Sequence, residues 1–152
     1  MKIDDKHLYH GAALAQIIEH PSFTALNRES HTPKAGHYLI NHNIHLFIKY
    51  STNEGEWQFT FKPQDIKNYR THLNDESENS KLFLCLVCYK KVVGVLEKDA
   101  IKKYLDLASN NQQWIKVIEK DGKCRTTLQI TSSYYQRKDR FQHKNVPDIL
   151  FK

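Results

Sequence analysis

The side chains able to do chemistry in this sequence stand in short groups, and the spacing of each group limits what it can do. Cys85 and Cys88 have the spacing of half a zinc knuckle, with Cys124 or a histidine available to complete it. They lie inside Lys81–Tyr89, a nearly continuous apolar run that reads as a strand buried on both faces. Residues three apart on a strand point to opposite sides, so the two thiols diverge and read as small core residues. An apolar strand also raises a thiol pKa, which speaks against Cys88 as a nucleophile. Nine histidines are spread along the chain without an HExxH frame, although His7 and His10 stand at i, i+3 in a helical pattern. No Gly-rich phosphate loop, nucleophile-elbow serine or kinase signature is present, and enzymes built on those frames are set aside. Neither a metal nor a cofactor is expected from these groups.

Charge is more informative. Lys and Arg number 23 against 17 Asp and Glu, a net charge of +6 in 152 residues. Residues 101–152 hold eleven basic and five acidic side chains and so carry the whole excess, which is where a polyanion would be steered. Within that third, Tyr134, Tyr135, Arg137, Lys138, Arg140, Phe141 and Lys144 interleave cations with aromatics, and Lys116, Lys120, Lys123 and Arg125 lie on the adjoining hairpin. Cations neutralise phosphates and aromatic faces stack on unpaired bases, so this pattern is expected to bind DNA or RNA. Trp57, Phe59 and Phe61 share one strand face with no interleaved cation and are assigned to the core.

Hydrophobic periodicity supplies the elements that must position these groups. Leu8, Leu14 and Ile18 with Gly11, Ala12 and Ala15 give a helix over Lys6–Glu19, capped by Asp4 or Asp5 and ended by His20-Pro21. Residues 21–36 read as an irregular connection. Alternation then predicts strands at 43–51 and 57–62, a helix opened by Pro63 with Ile66, Tyr69 and Leu73 inward, and a polar loop at 74–80. Strands at 81–89 and 92–96, a helix from Asp99 to Ala108, and a hairpin of 114–120 and 124–131 about Asp121-Gly122 complete the set. The class is α+β: one domain over residues 1–132 with a mixed or antiparallel sheet of about six strands and three helices, followed by a basic aromatic tail at 133–152.

This order, a leading helix, strands bearing Phe47-Ile48-Lys49 and Thr60-Phe61-Lys62, then a helix and further strands, resembles the restriction-endonuclease-like (PD-(D/E)xK) nuclease superfamily over residues 5–107. The resemblance implies an Asp and a Glu-x-Lys converging on Mg²⁺, with the lysine orienting the attacking water. On that basis Glu19, Asn43 and Lys49 would be the site residues of a nuclease. Neither lysine-bearing strand has a carboxylate two residues before its lysine, Asn43 stands where an aspartate is expected, and Glu54 and Glu56 lie in a turn. Mg²⁺ is held by converging oxygen ligands, so the scaffold is expected without its metal. His42-Asn43 with His45 is similar in composition to the His-Asn-His nucleases but lacks a second ligand group and reads as a strand rim.

Three classes of function follow. The first is a non-catalytic nucleic-acid-binding domain using the C-terminal third. The second is an inhibitory or regulatory module for an acidic protein partner, anchored by Ile149-Leu150-Phe151. The third is a Mg²⁺-dependent nuclease. An odd number of cysteines and an acidic, polar N-terminus point to a reduced, cytoplasmic setting, and no apolar run reaches membrane-spanning length.

Overall fold

The alternation that begins near residue 37 builds two sheets rather than one. In the computed structural model, which describes residues 1–28, 36–74, 80–121, 126–141 and 143–152, the order of elements is α+β. It runs α1 (Asp5–Ile18), β1 (Leu26–Arg28), β2 (His37–Ile40), β3 (Ile44–Ser51), β4 (Glu56–Phe61), α2 (Pro63–Leu73), β5 (Lys81–Cys88) and β6 (Val92–Glu97). Then come α3 (Lys98–Tyr104), β7 (Gln113–Asp121), β8 (Thr126–Ser132), β9 (Asp139–Arg140) and a short 3-10 helix, Asp148–Phe151. The first sheet has the order β1-β2-β3-β5-β6 and the second β4-β7-β8-β9.

The Asn53–Gly55 turn does not fold β4 back onto β3. Instead β4 pairs antiparallel with β7, from Glu56↔Ile118 to Phe61↔Gln113, while β3 pairs in parallel with β5, from Ile44↔Lys81 to Ser51↔Cys88. The reason lies in the side chains: β4 alternates exposed and buried residues, and its buried face of Trp57, Phe59 and Phe61 needs an opposing apolar layer. Phe47, Leu82, Leu84, Leu86, Cys88 and Leu96 of the first sheet provide it, with Ile66 and Tyr69 of α2 and Ile101 and Tyr104 of α3 closing the sides.

The other face of the first sheet is covered by α1. Asp4 caps this helix in a capping box with His7, and Tyr9, Ala13 and Ile17 meet Leu46, Ile48, Phe83, Cys85 and Val87. Central β5 is therefore buried on both faces, and the two thiols part as expected: Cys88 enters the core between the sheets and Cys85 the layer under α1. Burial pushes the Cys85 thiol up to about 12 and that of Cys88 higher still. The loop at 75–79 and residues 122–125, including Gly122 of the expected turn, lie outside the described residues.

The segment after Ser132 returns to both layers. Phe141 is 1% exposed and packs over Gly94 of β6, where a β-carbon would overlap its ring. Leu150 is fully buried in the layer under α1, and Phe151 stacks on His20 at 4.3 Å. Ile149-Leu150-Phe151 is thus engaged within the fold, which corrects its expected role as an anchor for a partner. Among the described residues no helix is long and apolar enough to cross a membrane.

Candidate functional site

The second sheet turns one face to the core and one to solvent, and register decides which cations share the outer face. Ile115 and Val117 are buried, so Trp114, Lys116 and Lys120 of β7 point outward. Pairing carries that face across the sheet, because Lys116 lies opposite Thr131, Lys120 opposite Thr127, and Gln129 of β8 opposite Arg140 of β9. Lys116 is half-buried, bonded to Glu56 at 2.9 Å, with its ammonium 5.3 Å from the Trp114 ring centroid. Lys120 and Arg140 are exposed.

The connection from β8 to β9 adds Tyr134, Arg137 and Lys138, all exposed, and Lys144 follows. Tyr135 is held more firmly. Its backbone N–H donates to Ser132 Oγ at 2.8 Å, its carbonyl accepts from Ser132 N–H, and Lys103 lies 4.7 Å from its ring. Lys103 pairs with Asp139 at 2.5 Å, and Tyr104 Oη donates to the same carboxylate. Those hydrogen bonds hold the Asp139 carboxyl below its ordinary range, and Lys103 is thereby spoken for.

The structure therefore places Lys116, Lys120 and Arg140 on the outer face of the second sheet and leaves Tyr134, Arg137 and Lys138 exposed in the connection from β8 to β9. It removes Phe141 from the expected set, since a ring buried over Gly94 offers no face to a base. Lys123 and Arg125 lie outside the described residues. Trp114 was missed by sequence reasoning; its alternation with buried Ile115 was the available signal.

The residues drawn from the nuclease resemblance do not converge. Glu19 is the exposed C-cap of α1, and Asn43 sits in the β2–β3 turn, where its carbonyl accepts the Lys81 N–H at 2.9 Å. Lys49 instead donates to Asp65 Oδ2 at 2.8 Å and to the Thr60 carbonyl at 3.1 Å. Asp65 belongs to the first turn of α2 and also accepts the Lys62 N–H at 3.0 Å, so it caps that helix while it binds the lysine. Lys6, Lys49, Gln58 and Asp65 line an open cleft of about 540 Å³. Among the described residues that line it, one carboxylate, already bonded to an ammonium, does not make a divalent-cation site.

Further along the inner side of β3 a second group forms. His45 shares that strand face with Phe47 and Lys49, and His37 of β2 lies directly opposite Phe47, its ring stacked on it at 4.1 Å. His72, in the last turn of α2, brings its ring to 4.3 Å from His45 and 4.9 Å from His37. His37 Nε2 and His45 Nδ1 are 3.0 Å apart. Burial, followed by the neighbouring His72 and His45, lowers the His37 pKa to about 4. Sequence reasoning missed this group, which is joined by strand register and a helix end and by no local motif.

Comparison of the chain with protein-family models, curated proteins and solved structures finds no match.

Proposed function

We propose that this chain is a non-catalytic nucleic-acid-binding domain that contacts phosphates through the outer side of its second sheet. The observation that carries the reading is the register that sets Lys116, Lys120 and Arg140 on one solvent-facing surface, with Arg137 and Lys138 exposed in the connection that leads to β9. Of these, Lys116 is shared with Glu56, whereas Arg137, Lys138 and Arg140 form no ion pair among the described residues. Exposed Tyr134 and the Trp114 ring supply stacking faces, which favours single strands, whose bases present open π surfaces. Such a surface positions a backbone and reads little sequence.

In this reading the restriction-endonuclease-like resemblance describes a scaffold whose metal-binding carboxylates are replaced: Phe47 stands two residues before Lys49, with His37 opposite it. Cleavage dependent on Mg²⁺ is not expected, and a cytoplasmic setting suits the reduced thiols. The partner-protein reading loses its main support because Leu150 and Phe151 are consumed by the fold.

The test is the salt dependence of binding to a single-stranded oligonucleotide. With about four to six phosphates engaged, log affinity falls against log salt with a slope of roughly −3 to −5. Changing Arg137, Lys138 and Arg140 together to alanine flattens that slope by roughly two to three units, and the melting temperature is nearly unchanged because the side chains are exposed. A slope near zero, or a triple variant that binds like the parent at low salt, refutes the proposal.

A further inference from the structure

Three imidazoles from three elements meet at one point in this fold, and chance packing of surface histidines does not require that. His37 and His45 are placed together by the antiparallel register of β2 and β3, which sets Leu39 against His45 and His37 against Phe47. Residues two apart on facing strands lie diagonally on one face, within reach of long side chains. His72 arrives from α2, held there by Tyr69 and Leu73, both buried. One ring nitrogen from each of the three lies within 4.8 Å of the other two.

We propose that His37, His45 and His72 form a binding site for one divalent transition-metal ion of the zinc class. Zinc–nitrogen bonds are about 2.0–2.1 Å, so ligand nitrogens around a tetrahedral ion stand roughly 3.3 Å apart. The observed span of 3.0 Å to 4.8 Å brackets that value, and small side-chain rotations close the remainder. A ligand imidazole must be neutral to present its lone pair. Among the described residues the donor set is nitrogen alone. That selects zinc, copper, nickel or cobalt over magnesium and calcium, which take oxygen ligands.

The site has an aromatic wall. Phe47, 3% exposed, backs His37, and Tyr69 meets Phe47 edge-on at 4.7 Å. His45 and His72 are only partly buried. Three ligands among the described residues leave one position of a tetrahedral ion for a further donor such as water or a small anion. Lys49 stands four residues along β3, about 13 Å away at strand rise, so the site is separate from the Lys49–Asp65 cleft. It is likewise independent of the nucleic-acid surface on the second sheet.

The test is titration of the full chain, purified with chelator and freed of it, with zinc chloride by calorimetry, and with cobalt chloride by visible absorption. The expected result is one zinc per chain and a cobalt spectrum of four- or five-coordinate type, quenched by one equivalent of zinc. His45→Gln and His72→Gln, at partly buried positions, each weaken zinc binding at least tenfold, with the far-ultraviolet circular dichroism unchanged. His7→Gln, on exposed α1, leaves it unaltered. Absence of saturable zinc binding, a cobalt spectrum that stays that of the hexaaqua ion, or affinity indifferent to His45→Gln and His72→Gln would each overturn the site. The cobalt spectrum of the parent chain decides the matter even where a variant fails to fold.

Discussion

The two faces of the five-stranded sheet are both buried, but they are closed by different means. The face toward the second sheet is closed by breadth: aromatic side chains of β4 lie across Leu84 and Leu86, with α2 and α3 as side walls. The face under α1 is covered by one helix of 14 residues and completed by the 3-10 helix that delivers Leu150. A layer built from many strands distributes its burial, whereas a layer built from one helix depends on whatever fills its margin. Both nevertheless receive a residue from the last quarter of the chain, Phe141 on one side and Leu150 on the other. The basic segment is thus held by Phe141 within it and Leu150 beyond it, while Arg137, Lys138 and Arg140 are exposed.

Removing each anchor is the most direct way to break the comparison. Phe141→Ala is expected to cost about 3–5 kcal/mol, as for removal of a fully buried aromatic ring, here one seated against Gly94. Chemical denaturation reads this as a lower midpoint, and a loss below about 1 kcal/mol would mean the slot closes or fills with water. Leu150→Ala is expected to cost less, about 2–3 kcal/mol, because a short terminal helix can settle toward α1. Equal losses at the two positions would show that the layers are equally rigid.

A smaller effect separates the faces by pH. His10, on the α1 side, is held at a pKa of about 4 by burial, with Lys6 and His7 adding to the depression and Asp4 opposing it. Its Nδ1 is 3.0 Å from Tyr38 Oη, and the Tyr50 ring meets it edge-on. A base whose pKa falls on folding takes up its proton in the unfolded chain first. Its contribution is therefore complete above pH 6.5 and is lost as pH drops toward 4, on the order of 2 kcal/mol. Stability curves of the parent and His10→Gln should converge across that window; parallel curves would show that the ring reaches water.

What was legible in the sequence was whatever repeats locally. The six longer strands and three helices follow from alternation, from the continuous apolar run at β5 and from helical spacing, as in Trp57, Phe59, Phe61 and Ile66, Tyr69, Leu73, but α1 buries Tyr9, Ala13 and Ile17 and leaves Leu8 and Ile18 of its expected apolar pattern exposed. The strands of two to four residues, β1, β2 and β9, are too short to show a period. The division into two sheets was hidden because a turn at Asn53–Gly55 says that the chain reverses, not which neighbour the next strand will take. The same limit applies to the sites. Lys120, Arg137 and Lys138 stand out as charge on a surface, but Phe141 could not be told from its exposed neighbours without Gly94, 47 positions earlier. Asp65 and His72 reach Lys49 and His45 only through the way α2 returns over β3.

The two anchors also set an order of events while the chain is being made. Synthesis delivers residues at about 5–20 per second, and domains fold as their residues emerge. When Ser132 has been added, every strand of both sheets except β9 exists, yet neither Phe141 nor Leu150 has been made. The nascent chain at that stage has its sheets but an unfilled slot over Gly94 and an uncovered margin beside α1. The slot over Gly94 is filled once Phe141 has emerged, and the margin beside α1 only once Leu150 has, so the layer under α1 is the last part of the fold to be sealed.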